Sequence, residues 1–338
     1  MSDAPPPDLA GVVGESRRTV EGFLVERGKV AEFARAVGDD DPVYRSASAA
    51  AARGFPAIPA PPTFPRVSSF PRYRVDAFDL GFDPEYVLHG EQRYAYERPL
   101  YVGDELVGET TLTDAYEREG RRGGTMTFAT FATEYRTADG DLVLTETATS
   151  IETEGAADDG TDESGANAGG DGDARANGGD ATAAATADDL VGVPVESGID
   201  PGVDAPDPTP LADLDPGDAG PAVTVGPFAR QDFVRYAGAS GDFNPIHYDE
   251  PYATGAGHPS VFGQGMLTAG VAAHAVADLV GLARLRSFGV RFRSQVWPGD
   301  TVTARAEVAE SEDVPDDVPA DALALAVTVT RDDGETVL

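Results

Sequence analysis

Residues 232–247 read DFVRYAGASGDFNPIH, and residues 29–44 read KVAEFARAVGDDDPVY. The two stretches align without a gap at an offset of 203, pairing Phe33 with Tyr236, Gly38-Asp39 with Gly241-Asp242, Pro42 with Pro245 and Tyr44 with His247. A second correspondence follows at an offset of 196, where Tyr96 through Asp104 match Phe292 through Asp300 and both end in Gly-Asp. Self-similarity of this kind marks one structural plan used twice. The first copy carries seven extra residues between the two landmarks.

Outward from these stretches, each copy opens with a short amphipathic helix, Lys29 to Val37 and Arg230 to Ala239, closed by a Gly-Asp turn. The second copy continues into a helix from Met266 to about Gly281 that is apolar nearly all round, so burial is expected. Alternating patterns predict strands at 286–296, 300–309 and 322–331, and in the first copy at 86–99, 104–116, 125–136 and 142–152. One helix wrapped by a curved antiparallel sheet, twice over, is an α+β plan. The composition shifts after Ile151: residues 153 to about 190 are Gly, Ala, Asp, Thr and Asn with almost no large apolar side chain. Such a segment buries too little surface to offset its ordering entropy. Three regions are expected: a domain at 1–152, a disordered acidic linker at 153–220 and a domain at 221–338. The linker's end, Val191 to about Pro221, adds Pro and Val and is expected to lie extended over a domain surface.

The composition bounds the function. With 59 acidic against 25 basic residues, the formal charge is −34, which opposes binding to a phosphate backbone or an anionic membrane surface. There is no cysteine, so thiolate nucleophiles, disulfides and thiolate metal sites are excluded. No secretory or membrane segment is visible, and a cytoplasmic protein is expected. Lys29 is the single lysine, and acidic residues are spread along the whole chain. That balance resembles the cytoplasmic proteins of extreme halophiles, where high salt screens the self-repulsion.

The stretch YAGASGDFNPIH, followed by FGQGMLT at 262–268, closely resembles the MaoC-like, or hydratase 2, family, whose pattern S-G-D-x-N-P-hydrophobic-H it matches in full. The first half resembles the FAS1-like dehydratase domain through HGEQRYAYERPLYVGD at 89–104 and APPTFP at 60–65. The whole resembles a fusion of the two subunits of a (3R)-hydroxyacyl dehydratase. The resemblance implies a double hot-dog fold and (R)-specific hydration of an enoyl-thioester, or the reverse dehydration. Coenzyme A then enters as part of an acyl-CoA substrate of fatty acid metabolism, and neither a further cofactor nor a metal is expected. The two copies form a pseudo-dimer in one chain, and the sequence leaves a further homodimer open.

The residues suit that chemistry. Hydration needs water at Cβ, a proton at Cα and stabilisation of a developing enolate oxygen. Asp242 and His247 share one turn, built from Ser240, Gly241, Asn244 and Pro245, and together can remove a proton from water. Gly265 and Met266 open the apolar helix, and their backbone N–H groups suit a thioester oxygen. His274 is expected as a core residue, His258 as loop or pocket border, and His89 carries no assigned role. Arg284, Arg286, Arg291 and Arg293 are expected to pair mainly with surface carboxylates, with coenzyme A phosphates as the alternative. The first half is expected to be inert, because Tyr44 replaces the imidazole and Pro62 stands where Gly265 stands, without an N–H. Pro65 should cut short its central helix, leaving space near Phe64 and Val67 for an acyl chain or only a packing role. The alternatives are a hydratase of branched dicarboxyl-CoA thioesters of the mesaconyl-CoA type, and a non-catalytic acyl-thioester binding protein.

Overall fold

The structure is a computed structural model and describes residues 9–83, 86–119, 124–153, 207–310, 314, 318–319 and 322–338. Residues 154–206, the greater part of the expected linker, lie outside the described residues.

The first half supplies β1 (Ser16–Leu24), β2 (Val87–Tyr96), β3 (Glu105–Glu119), β4 (Thr125–Thr137) and β5 (Leu142–Thr153). The second supplies β6 (Val223–Val225), β7 (Ser287–Arg291), β8 (Val302–Val308) and β9 (Leu325–Arg331). All pairings are antiparallel, in a six-stranded sheet of order β1-β3-β4-β5-β2-β7 and a three-stranded sheet of order β6-β8-β9. Period-2 alternation decides which face is inside. In β2, Gln92, Tyr94 and Tyr96 point inward, and in β8 Val302, Ala304, Ala306 and Val308 do. β7 pairs with β2, Glu91 opposite Arg291 and Ala95 opposite Ser287, so a strand of the second half extends the sheet of the first.

The helices are α1 (Leu9–Val12), α2 (Arg27–Ala36), α3 (Ala47–Ala52), α4 (Arg230–Ser240), α5 (Glu250–Gly255) and α6 (Gly265–Val280). α2 packs on α4, and the rings of the repeat-related pair Phe33 and Tyr236 meet at 5.7 Å. Equivalent residues touch only near a twofold axis, so a pseudo-twofold runs between these helices. The repeat extends to the turns. Gly38 (φ +76°) ends α2 and Gly241 (φ +90°) ends α4, both in the left-handed region that favours glycine. Asp41 Oδ1 accepts from Val43 N at 2.9 Å, and Asn244 Oδ1 from Ile246 N at 3.2 Å, each capping a short 3-10 turn that begins with proline.

The copies differ at the centre. α6 lies against β6, β8 and β9 with twelve of its sixteen residues buried. The first half has instead a 3-10 turn, Phe64–Ser69, with Pro65 inside it. The plan of a sheet wrapped around a long helix therefore holds in the second half and is replaced by this turn in the first.

The linker's far end is ordered, and two strand bounds need correction. Residues 207–220, counted within the expected linker, form an arm along the second half, in keeping with the extended course expected for 191–221: Thr209 N donates to Leu279 O, Gly217 N to Val308 O and Gly220 N to Ala306 O, all within 3.0 Å. Leu214 anchors the arm on the core. The expected strand 286–296 is regular only over Ser287–Arg291, and 322–331 only from Leu325. Apolar residues from both halves form one continuous core, which includes Phe23, Phe33 and Phe64 with Tyr236, Met266 and Val271. Among the described residues no helix is long and apolar enough to cross a membrane.

Candidate active site

His247 ends the 3-10 turn Pro245–His247 and Asp242 precedes it, and both face one cavity of about 950 Å³ lined by both halves. The turn is fixed from within. Asp242 N donates to Ser240 Oγ at 3.1 Å, and Ser240 Oγ donates to Tyr236 O at 2.8 Å. Gly241 lets the backbone pass Phe70, since a Cβ there would sit 2.8 Å from Phe70 Cβ. Pro245 sets the first dihedral of the turn behind the Asn244 cap. His247 is 8 % exposed. Its Nδ1 lies 2.8 Å from Phe262 O, and a carbonyl can only accept, so Nδ1 carries the hydrogen and Nε2 is left as a bare acceptor. Burial holds the imidazole below its ordinary pKa, against the opposing pull of Asp242. The neutral form thus prevails near neutrality.

Gly265 and Met266 border the same cavity at the start of α6. The first N–H groups of a helix have no intrahelical acceptor. Gln264 holds the helix start in place through Nε2 to Phe233 O at 3.1 Å, and a Cβ on Gly265 would lie 2.9 Å from the Phe292 ring. The predicted residues are therefore brought together: a carboxylate, an imidazole with a free nitrogen, and a helix N-terminus around one void.

The remaining candidates disperse. His258 meets the Phe262 ring at 4.8 Å with the two planes tilted by 57°, and His274 lies 3.8 Å from Asp39 and 3.5 Å from Asp278. Arg291 pairs with Glu91, and Arg284 donates to the Thr209 and Val280 carbonyls. Arg293 is exposed at the cavity rim. The first half's counterparts, Asp39 and Tyr44, are buried at 3 % and 1 % exposure, and neither lines this cavity.

Sequence reasoning missed the opposite wall, which the first half supplies. Thr19, Thr110 and Thr133 form a hydroxyl ladder with Oγ1 separations of 2.6 and 2.8 Å. Buried Glu146 accepts from Tyr135 Oη at 2.7 Å and from Gln92 Nε2 at 2.8 Å. His89, given no role above, faces the cavity with its ring 4.8 Å from Phe292, and burial pushes its pKa down to about 3. Arg66, from the 3-10 turn, lies over the Phe70 ring at 4.7 Å. Burial opposes its charge, but Asp242 and Glu146 keep its pKa raised. Two signals were present: Arg66 is a lone charge in an apolar run, and Glu146 shares strand parity with buried Leu144. Space does exist beneath the first sheet, but Phe64 and Val67 do not line it; they belong to the core.

Residues 12–146 match the family described as the FAS1-like, dehydratase domain region, and residues 204–328 match the MaoC like domain. A UPF0336 protein of Thermobifida fusca is 34% identical over 151 residues, which are 44% of this chain and 95% of that protein. The chain belongs to the MaoC-like dehydratases. A UPF0336 protein of Mycobacterium tuberculosis is 32% identical over 149 residues, 43% of this chain and 86% of its own length. Among solved structures, a MaoC-like dehydratase matches with a TM-score of 0.69 and 25% identity, covering 97% of this chain and 96% of its own. A Mycobacterium tuberculosis protein described as having a double hotdog fold matches with a TM-score of 0.57 and 18% identity, covering 96% of this chain and 92% of its own. The architecture is thus the double hot-dog of the MaoC-like dehydratases, with its pseudo-dimer inside one chain.

Proposed function

We propose that this chain is an (R)-specific enoyl-CoA hydratase, also working in reverse as a 3-hydroxyacyl-CoA dehydratase. The observation that carries the reading is the bare Nε2 of His247, whose ring is held through Nδ1 by Phe262 O and borders a cavity shared with Asp242 and the start of α6. His247 takes a proton from water while the Asp242 carboxylate orients it. The water oxygen bonds to Cβ, and the π electrons move toward the thioester carbonyl. The enolate oxygen is met by the N–H groups of Gly265 and Met266 at the positive end of the helix dipole. A proton returned to Cα restores the carbonyl, so the net change is one water added across the double bond. The (R) outcome rests on the family likeness.

The test is crotonyl-CoA hydration in molar KCl with chiral analysis of the product. Asp242→Asn and His247→Ala are each expected to lower kcat by about two to four orders of magnitude, with the far-UV spectrum unchanged. A folded variant turning over at the wild-type rate would remove this mechanism.

A further inference from the structure

The first half's wall of the cavity carries polar groups where an acyl pocket calls for hydrocarbon. Strand register sets them in one row across the inner face of the six-stranded sheet: Thr110 of β3 stands opposite Thr133 of β4, and Thr133 opposite Glu146 of β5. Thr19 of β1 extends the row, its Oγ1 2.6 Å from that of Thr110. All four residues line the cavity, and none is more than 8 % exposed. The next row on the same face is apolar, with Leu112 opposite Phe131 and Phe131 opposite Ala148. From Phe131 and Ala148 the cavity wall runs on to Phe78, Leu80 and Phe82, and the Phe78 and Phe131 rings lie 5.6 Å apart. A polar belt thus borders an apolar pocket.

Counting hydrogens defines what the belt can hold. The three threonine hydroxyls are joined by two hydrogen bonds, at 2.6 and 2.8 Å, which use two of their three hydrogens. The third, at one end of the ladder, meets no protein acceptor among the described residues. Glu146 accepts once at each oxygen, from Gln92 Nε2 and from Tyr135 Oη, and each oxygen has room for a second donor. The belt therefore offers a donor and spare acceptor sites together, which is the complement of an alcohol. A plain methylene chain laid across it uses neither and displaces the water that would. A carboxylate brings no hydrogen for Glu146.

We infer that this belt receives a hydroxyl group on the acyl tail, so that the protein acts on α,β-unsaturated acyl-CoA thioesters that carry an alcohol further along the tail. This rests on the hydratase reading above and narrows its substrate class. The alcohol oxygen accepts from the threonine ladder and its hydrogen goes to Glu146. Thr133 and Glu146 are then specificity-determining residues, supplied by the first half to a reaction carried out by the second.

The experiment compares 2-octenoyl-CoA with its monohydroxylated derivatives, the hydroxyl stepped from the carbon after the double bond to the end of the chain, using the full protein in molar KCl. One position is expected to exceed the plain chain in kcat/KM by at least about tenfold, the scale of one buried hydrogen-bonded group. Thr133→Val is expected to bring that ratio to within about threefold of unity, and Thr133→Ser, which restores the hydroxyl, to keep most of it. A plain chain preferred over every hydroxylated one, a ratio unmoved by Thr133→Val, or a chain ending in a carboxylate preferred over all of them overturns the proposal. A second arm needs neither variant nor turnover: binding of octanoyl-CoA and its monohydroxylated derivatives to the wild type by calorimetry. A hydroxyl ordinarily weakens the binding of a buried chain, so one derivative binding at least about fivefold more tightly than octanoyl-CoA is the expected result. Weaker binding of all of them overturns the proposal. If no octenoyl thioester is hydrated, the hydratase reading fails, while the calorimetric arm still decides the role of the belt.

Discussion

His247 and Asp39, the first half's counterpart of Asp242, illustrate two uses of burial. At His247 burial lowers the imidazole pKa, so the neutral, proton-accepting form persists into more acidic solution than for a free imidazole. The acid limb of kcat/KM against pH is therefore expected below about 6.5, with the rate flat from pH 8 down to that value; a limb at or above it would contradict His247 as the base. At Asp39, the repeat-equivalent of Asp242, burial pushes the carboxyl up to about 6 from 3.8, against the opposing pull of His274, with Asp41, Asp278 and Tyr44 also facing it. A raised carboxyl pKa favours the fold most below 3.8, and that contribution is lost as pH rises through about 6. Asp39→Asn keeps an acceptor for Asp41 N, 3.1 Å away, and removes the buried charge. The variant is expected to be more stable than the wild type at pH 7.5, by on the order of 1–3 kcal/mol, and to lose that advantage toward pH 4. Denaturation at both pH values checks it; a variant less stable than the wild type at pH 7.5 would contradict the cost assigned to the buried charge. The dyad was legible because its members are five residues apart on one turn. Arg66, His89 and Glu146 were not, because strand register and the meeting of the two halves bring them to the cavity, and neither is written in local spacing.

Among the elements, the long strands of the first half were readable within a few residues; β2 and the first part of β3 alternate clearly between buried and outward residues, while β4 and β5 are marked by their runs of Thr, Phe and Val. β1 and β6 were not. Arg17, Arg18 and Glu21 break the pattern of β1 at the sheet edge, and β6 is three residues long. Pro65 did announce the loss of the first copy's central helix. Its counterpart α6 meets the first half closely at Gly270, where a Cβ would lie 2.3 Å from Val37 Cγ1 and 2.7 Å from Val37 Cβ. Helix propensity favours alanine over glycine by about 1 kcal/mol, so the sign of Gly270→Ala reports the contact. We expect a net loss of about 1–3 kcal/mol from overpacking, partly recovered by adding Val37→Ala, in denaturant titrations. A neutral or stabilising Gly270→Ala would mean that the helix yields freely there.

For the whole molecule, charge and symmetry set the terms. A formal charge of −34 repels itself over a Debye length of about 10 Å at 0.1 M salt and about 3 Å at 1 M. The halophilic expectation therefore takes the form of a thermal midpoint that climbs steeply as KCl is raised from tens of millimolar to molar; a flat dependence would refute it. The pseudo-twofold that brings Phe33 to Tyr236 relates two copies that no longer match, since only one carries the imidazole and the long helix. The strand pairing of β7 with β2 and the continuous core hold those copies together. A true homodimer repeats every substitution on both sides, so a group introduced for one site appears in the other as well. Covalent fusion removes that coupling. It lets the histidine be kept on one side and the polar belt on the other, leaves one complete site per polypeptide, and preserves the pairing at any dilution because the second copy is never lost to the bulk.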